Sequence, residues 1–200
     1  MKQVEYFFAP VSGFAYLGHR AILDIAAAAG AEVIFRPFDI QALFTAQGTV
    51  PPPIQGDLRL SYRREDMVRW AARRGLPLNP VPAHWPVTSV PACKAIIAAA
   101  ALGHDAGLAS EAFLAGIWAE DRNLADPAEL GALLDKRGLP GAEILAGSKA
   151  PEVNAALQSY AEAAREAGVF GSPTYIIDGV RFFGQDRLEF VSEALTRREA

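Results

Sequence analysis

The sequence predicts an α/β fold in which an all-helical insertion interrupts a small sheet domain. The first forty residues follow a strand-helix-strand pattern, and the last thirty contain two short strands and a helix. The residues between show helical periodicity. We therefore expect a sheet domain formed by residues 1–56 and 169–200, with a helical domain at residues 57–168.

The N-terminal part of the predicted sheet domain is a parallel strand-helix-strand unit. Residues Val4–Phe8 form the first strand, Ala9–Gly13 a turn and Phe14–Ile25 an amphipathic helix. The second strand is Glu32–Phe38, rich in β-branched and aromatic residues. A loop rich in proline and glycine at Gln47–Gly56 marks the exit from the sheet domain.

Capping residues mark helices within the predicted insertion. Asp126 and Pro127 have the residue types of an N-cap and a first helical position, and Gly138 follows as a stop. A further helix begins at Pro151 and continues until Gly168.

The C-terminal part of the sheet domain is predicted as a hairpin followed by a helix. Asp178-Gly179 divides a β-branched and aromatic run and is typical of a type I′ turn. Pro173 precedes this run. Proline has no N–H to donate to a sheet, so at the entrance to a strand it usually makes a bend. We predict that the Ser172-Pro173 bond is cis. The last helix extends from about Gln185 to Thr196.

Composition excludes several classes of function. The net charge is −4 and the basic residues are scattered, which argues against a nucleic-acid or anionic-membrane partner. The apolar run Ala95–Leu102 is too short to span a bilayer. Dithiol chemistry is excluded because Cys93 is the lone cysteine. The lone cysteine and the lack of a secretory signal at the N-terminus together predict a cytoplasmic protein. The three histidines show no ligand spacing, so we predict no metal site.

Ser12 is the first candidate for chemistry, because it lies where the first strand turns into the first helix. A serine there is a good N-cap, and capping alone is one interpretation. The alternative is that Ser12 activates a thiol, whose free pKa is about 8.5. A hydroxyl donor and the positive end of the helix dipole both favour the thiolate.

Five stretches together resemble the 2-hydroxychromene-2-carboxylate isomerases, which are glutathione-dependent relatives of kappa-class glutathione transferases and of DsbA. They are Val4–Leu17, Tyr62–Ala71, Trp118–Pro127, Gly168–Thr174 and Phe183–Arg187. The resemblance extends in order from about Val4 to the C-terminal helix. It implies a thioredoxin-like domain with a helical insertion, and glutathione as the cofactor.

The resemblance also implies a set of site residues. Ser12 is the catalytic residue, which orients and ionises the sulfur of glutathione without a covalent bond. The Ser172 backbone pairs with the cysteinyl unit, and the Ser172 side chain is incidental. Gln185 and Asp186 anchor the γ-glutamyl end, and Arg187 braces the last helix. The implied cofactor-binding residues are Ser12, Ser172, Pro173, Phe183, Gly184, Gln185 and Asp186.

The site of the second substrate is expected to differ from the family pattern. The isomerases usually carry lysine and asparagine in the loop after the second strand, whereas Ala42–Pro53 contains neither. A replacement pocket is expected to use Arg59, Tyr62, Trp85 and Thr88. The alternative for the arginine is a solvated side chain on an amphipathic helix.

The implied activity is a cis-trans isomerisation of an aromatic or conjugated 2-oxo acid. The thiolate adds to the double bond, the resulting single bond rotates, and elimination regenerates glutathione. The partner is thus a small-molecule aromatic carboxylate, and a homodimer is left open. Two alternatives remain: a kappa-like transferase that consumes glutathione, and a non-enzymatic protein that binds thiols or peptides.

Overall fold

The computed structural model describes residues 1–197, so the last three residues of the predicted sheet domain lie outside it. A four-stranded sheet has the order β2-β1-β3-β4. Strand β1 is parallel to β2 and antiparallel to β3, and β3 is antiparallel to β4. The two ends of the chain therefore build one sheet, as predicted. The strands are β1 (Gln3–Phe8), β2 (Glu32–Pro37), β3 (Thr174–Ile177) and β4 (Val180–Phe183).

Helices occupy most of the remaining described chain. Between β2 and β3 the regular structure is entirely helical, which confirms the predicted insertion between the two halves of the sheet. None of the helices among residues 1–197 is both long and apolar enough to cross a membrane. The helices are α1 (Gly13–Ala28), α2 (Ile40–Gln47), α3 (Asp57–Arg74), α4 (Val90–Ala101), α5 (Ala106–Trp118), α6 (Pro127–Lys136), α7 (Gly141–Gly147), α8 (Pro151–Glu166) and α9 (Leu188–Thr196).

Helix α2 corrects the interpretation of the segment after β2 as a loop. Asp39 caps its start by accepting the Gln41 N–H at 3.0 Å, and Gly48 ends it in the left-handed conformation. Eight residues are too few to show helical periodicity clearly, which explains why the sequence did not reveal the helix. The last helix also differs from its prediction, because a 3-10 turn at Gln185–Arg187 precedes α9.

Other local predictions are confirmed. Asp178 and Gly179 have φ values of 50° and 78°, the positive pair that a type I′ turn requires. The Ser172-Pro173 bond is cis. Asp126 caps α6 by accepting the Ala128 N–H at 2.8 Å.

A continuous hydrophobic core joins the sheet to the inserted helices. Tyr6 and Phe8 of β1 stack with their ring centroids 4.4 Å apart, and both are fully buried. Buried residues of α1, α4, α5 and α6 belong to the same cluster. Division of the chain into two domains stays a prediction, but packing across this core positions the site described next.

Candidate active site

Ser12 joins the start of α1 to the loop before β3. Its backbone is extended, and its Oγ accepts the Ala15 N–H at 3.2 Å, so it caps α1. The same hydroxyl donates to the Ser172 carbonyl oxygen at 3.0 Å. Ser12 is therefore an N-cap that also contacts the cis-proline loop, and its proton points at a backbone acceptor.

The Ser172 side chain is not incidental, contrary to the sequence interpretation. Its Oγ accepts the Ala9 N–H at 2.9 Å, so each of the two loops supplies a hydroxyl to the backbone of the other. Ala9 is 163 residues away in the chain, so no local sequence pattern reveals such a bond. We call the paired segments Ala9–Gly13 and Gly171–Pro173 the serine junction.

Helices of the insertion brace the serine junction. The Trp118 indole N–H donates to the Val11 carbonyl oxygen at 3.3 Å. Gly13 lies against Met67 of α3, where a Cβ atom would overlap the Met67 side chain. Tyr16 donates to the Pro77 carbonyl oxygen at 2.6 Å, and burial raises the Tyr16 pKa to about 12. These contacts pack the residues around Ser12 against α3, α5 and the segment that follows α3.

A cavity of about 400 Å³ opens beside Ser12 and Ser172. Phe170 and Phe183 lie on one side with ring centroids 4.6 Å apart, and each is about half exposed. Gly171 permits this arrangement, because a Cβ there would lie 2.6 Å from the Phe183 ring. The lining is mainly apolar, and it includes Phe14, Ile40, Phe44, Pro52, Trp85 and Val87.

Among the described residues, Arg63 of α3 is the one charged residue in the lining of this cavity. Its guanidinium carbon lies 4.5 Å from the centroid of the Phe14 ring and 5.8 Å from that of Trp85. Among residues 1–197, no carboxylate oxygen lies within 4.0 Å of its nitrogens. Desolvation lowers the Arg63 pKa to about 10, against the opposing effect of Asp66.

Sequence reasoning missed Arg63 and selected its neighbours instead. Arg59, Tyr62 and Thr88 are exposed and lie outside the cavity lining, whereas the fourth predicted residue, Trp85, is part of it. Tyr62 is 63% exposed because it lies on the solvent side of α3. Met67 and Ala71 follow Arg63 at intervals of four and are both buried. That helical spacing was the available signal that Arg63 faces inward.

The predicted γ-glutamyl residues lie at a second cavity. The Gly184 N–H donates to the Pro173 carbonyl at 2.9 Å, which connects the Gln185–Arg187 turn to the serine junction. Gln185 is 2% exposed, and its carbonyl accepts Arg74 Nη2 at 3.0 Å. Asp186 is exposed and its carboxylate pairs with Arg187 at 2.6 Å.

This second cavity, of about 380 Å³, lies between α1 and α3. Its lining includes Trp70, Arg73 and Arg74 together with Gln185 and Asp186, but not Ser12. The predicted residues are thus divided: Ser12, Ser172 and Phe183 share one cavity, and Gln185 and Asp186 share another. Because Gln185 is buried as a whole residue and its carbonyl is bonded to Arg74, Asp186 is the more accessible of the two predicted residues there.

Cys93 lies away from both cavities in the core. It is fully buried in α4, and burial raises the pKa of its thiol well above its usual range. A thiol in that environment stays protonated and unreactive at neutral pH. Cys93 therefore acts as a small buried apolar residue of the core.

Comparisons with known proteins agree with the fold. A family model described as a DSBA-like thioredoxin domain matches residues 3–196. A 2-hydroxychromene-2-carboxylate isomerase of Sphingobium xenophagum is 28% identical over 199 residues, covering 97% of this chain and 98% of the relative.

Two solved structures show the same architecture. A 2-hydroxychromene-2-carboxylate isomerase structure has a TM-score of 0.78 at 22% identity, covering 96% of this chain and 94% of the other. The cytosolic disulfide reductase DsbM from Pseudomonas aeruginosa with GSH has a TM-score of 0.67 at 18% identity, covering 96% and 93%. These likenesses confirm the predicted thioredoxin-like fold with its helical insertion.

Proposed function

Because this chain belongs to the DSBA-like thioredoxin domain family, we propose that it is a glutathione-dependent cis-trans isomerase of an aromatic or conjugated 2-oxo acid. One observation carries the proposal. The Ser12 hydroxyl lies at the N-terminus of the 16-residue helix α1, contacts the Ser172 carbonyl, and borders a largely apolar cavity. The isomerase name of the Sphingobium relative supports the reaction class.

The serine junction has the donors and acceptors that a cysteinyl thiol needs. The N-terminus of α1 provides positive potential, and Ser12 provides a hydroxyl donor, each favouring a thiolate by about 1 kcal/mol. The Ser172 carbonyl is an acceptor for a peptide N–H, as in strand addition. In that arrangement Ser12 releases Ser172 and turns its proton toward the sulfur. Ser12 thus acts as a hydrogen-bond donor and forms no covalent bond.

Two residues at the second cavity suit the other end of glutathione. The Asp186 carboxylate has the charge to bind an ammonium group, and the backbone of the Gln185–Arg187 turn has N–H groups for a carboxylate. Arg187 already pairs with Asp186, so this site has a basic group beside the acidic one. When bound, glutathione would supply the nucleophilic thiolate for addition to the conjugated double bond, and elimination after rotation would return it unchanged.

The cavity beside Ser12 favours a small aromatic second substrate. Its walls carry the rings of Phe14, Phe44, Trp85, Phe170 and Phe183, which suit a planar apolar ring. A kappa-like transferase would use the same thiolate and differ in consuming glutathione. A non-enzymatic peptide-binding role is favoured less, because an extended peptide does not need a cavity lined by five aromatic rings.

Product analysis tests the proposal. Purified protein is given hydroxybenzylidene pyruvate, and both isomers and free glutathione are followed, with Cys93→Ala as the control for a protein thiol. We expect no activity without glutathione and many turnovers per glutathione when it is sub-stoichiometric. Stoichiometric loss of glutathione would indicate the transferase. Activity that persists after complete removal of glutathione would contradict both the isomerase and the transferase. If no glutathione-dependent reaction is detected, the non-enzymatic binding role is the remaining alternative.

A further inference from the structure

Arg63 is a partly buried cation in an apolar wall. Even partial burial of a guanidinium beside apolar groups is costly, and such charges in proteins are normally paired. The Arg63 guanidinium lies over the Phe14 and Trp85 rings, and no carboxylate of the described chain lies within ion-pair distance. Cation–π contacts offset only part of the desolvation cost. The arrangement indicates a position whose anion comes from a ligand.

The geometry directs Arg63 toward the molecule that Ser12 would contact. Phe14 follows Ser12 by two residues in the first turn of α1, and the Arg63 guanidinium lies over its ring. A guanidinium stacked on ring faces keeps its N–H groups directed outward from its edge, where they match both oxygens of a carboxylate. A ligand in this cavity could thus reach the hydroxyl with one end and the guanidinium with the other.

We propose that Arg63 binds the carboxylate of the second substrate and so places its conjugated double bond beside Ser12. This inference rests on the proposed function, because it concerns the second substrate of the same site. The rings of Phe14, Phe44 and Trp85 hold the planar part of the acid, and Arg63 selects acids over neutral aromatic ketones. Arg63 is a binding and specificity residue in this scheme, and it takes no part in proton transfer.

Paired substrates test the inference. Steady-state kinetics with saturating glutathione compares an arylidene pyruvate with its uncharged methyl ester in the wild type, Arg63→Met and Arg63→Lys. A charged hydrogen-bonded pair is usually stronger than a neutral one, so we expect kcat/KM for the acid to fall about 10- to 100-fold in Arg63→Met. The change should lie mainly in KM, with kcat/KM for the ester altered less than about twofold, and Arg63→Lys should recover part of the loss.

A matched control and a binding measurement separate the outcomes. Arg69→Met removes an exposed arginine of the same helix, and it should leave the ratio of acid to ester kcat/KM unchanged. An equal ratio in wild type and Arg63→Met would overturn the inference while leaving the isomerase intact. A higher KM for glutathione in place of the acid would also overturn it, because Arg63 would then bind the glycyl carboxylate.

Binding of cinnamate, followed by quenching of tryptophan fluorescence without glutathione, gives a readout independent of turnover. We expect cinnamate to bind the wild type at least about tenfold more tightly than Arg63→Met. If cinnamate binding differs in this way but no glutathione-dependent reaction is detected, the proposed function is wrong and the carboxylate site at Arg63 is supported. Equal binding by the two proteins, with both shown to be folded by circular dichroism, contradicts the carboxylate site.

Discussion

The two sides of Ser12 differ in how their polar groups are satisfied. At the serine junction, the Ser12 and Ser172 hydroxyls bond with the backbone of the opposite loop. Across the cavity, Arg63 has aromatic neighbours and no anion within ion-pair distance in the described chain. Under the proposed function, the serine junction positions the thiol through backbone contacts, whereas Arg63 selects the second substrate through its side chain. Substitution of Arg63 should therefore alter specificity for the second substrate with little effect on the pKa of the thiol.

Helix α1, which Ser12 caps, is predicted to make the fold sensitive to acid because it also contains His19. His19 is 2% exposed and contacts the Gly107 carbonyl at 2.9 Å, and burial lowers its pKa from 6.5 to about 4. As pH falls, the unfolded chain binds a proton on this histidine before the folded one does. Stability should therefore decrease by about 3 kcal/mol from pH 6.5 to pH 4, and this loss is absent above that window.

Urea unfolding across this pH range measures the effect. His19→Gln should be less stable at neutral pH but should lose much less stability on acidification. His84→Gln is the control, since His84 is exposed. Parallel pH profiles for the wild type and His19→Gln would show that other groups cause the acid sensitivity.

Ser12→Ala should reduce activation of the glutathione thiol, because it removes the proposed hydrogen-bond donor to the sulfur. A hydrogen bond to a charged group contributes about 1.5–3 kcal/mol, so we expect turnover to fall about 10- to 100-fold and the pKa of bound glutathione to rise. Loss of the cap alone costs about 1 kcal/mol of stability. Ultraviolet absorbance of the thiolate, titrated in both complexes, measures the pKa change.

Asp126→Ala provides the matched control for Ser12→Ala. It removes the cap of α6, away from the serine junction, at a similar cost in stability. The thiol pKa should then match that of the wild type. Identical titration curves for the wild type and Ser12→Ala would mean that Ser12 only caps α1.

Ser172→Ala tests whether the second hydroxyl of the junction stabilises the loop. The Ala9 N–H loses its acceptor, and a partly buried donor left unpaired costs about 1–2 kcal/mol. The melting temperature should decrease and KM for glutathione should increase. Ser61→Ala, at an exposed position on α3, is the control. Unchanged stability and KM in Ser172→Ala would restore the interpretation of this side chain as incidental.

Tyr16→Phe should have the smallest effect of these substitutions, and it should affect binding of the second substrate. It removes the bond to the Pro77 carbonyl, which anchors the segment leading to Trp85, at a cost of about 1 kcal/mol. We expect a modest rise in KM for the acid with no change in the thiol pKa. A change in the thiol pKa would show that the serine junction and the part of the cavity around Arg63 and Trp85 are coupled through α1.

The sequence by itself determined the elements whose signals are local. Short runs of β-branched and aromatic residues predicted β1 and β2, helical periodicity predicted α1, and Asp178-Gly179 predicted the hairpin between β3 and β4. Ser12 was found because an N-cap has a characteristic position between strand and helix. Each of these features depends on residues close together in the chain, so their backbone preferences suffice.

Tertiary packing decided which side chains face the site. Gly13 allows α1 to approach Met67, and this contact orients α3 so that Arg63 faces the cavity while Tyr62 faces solvent. Likewise, close contact with Gly18 buries the Gln185 side chain. Helical periodicity limits a side chain to one face of its helix, but the partner of that face comes from distant residues. Long-range packing therefore assigned these residues to their cavities.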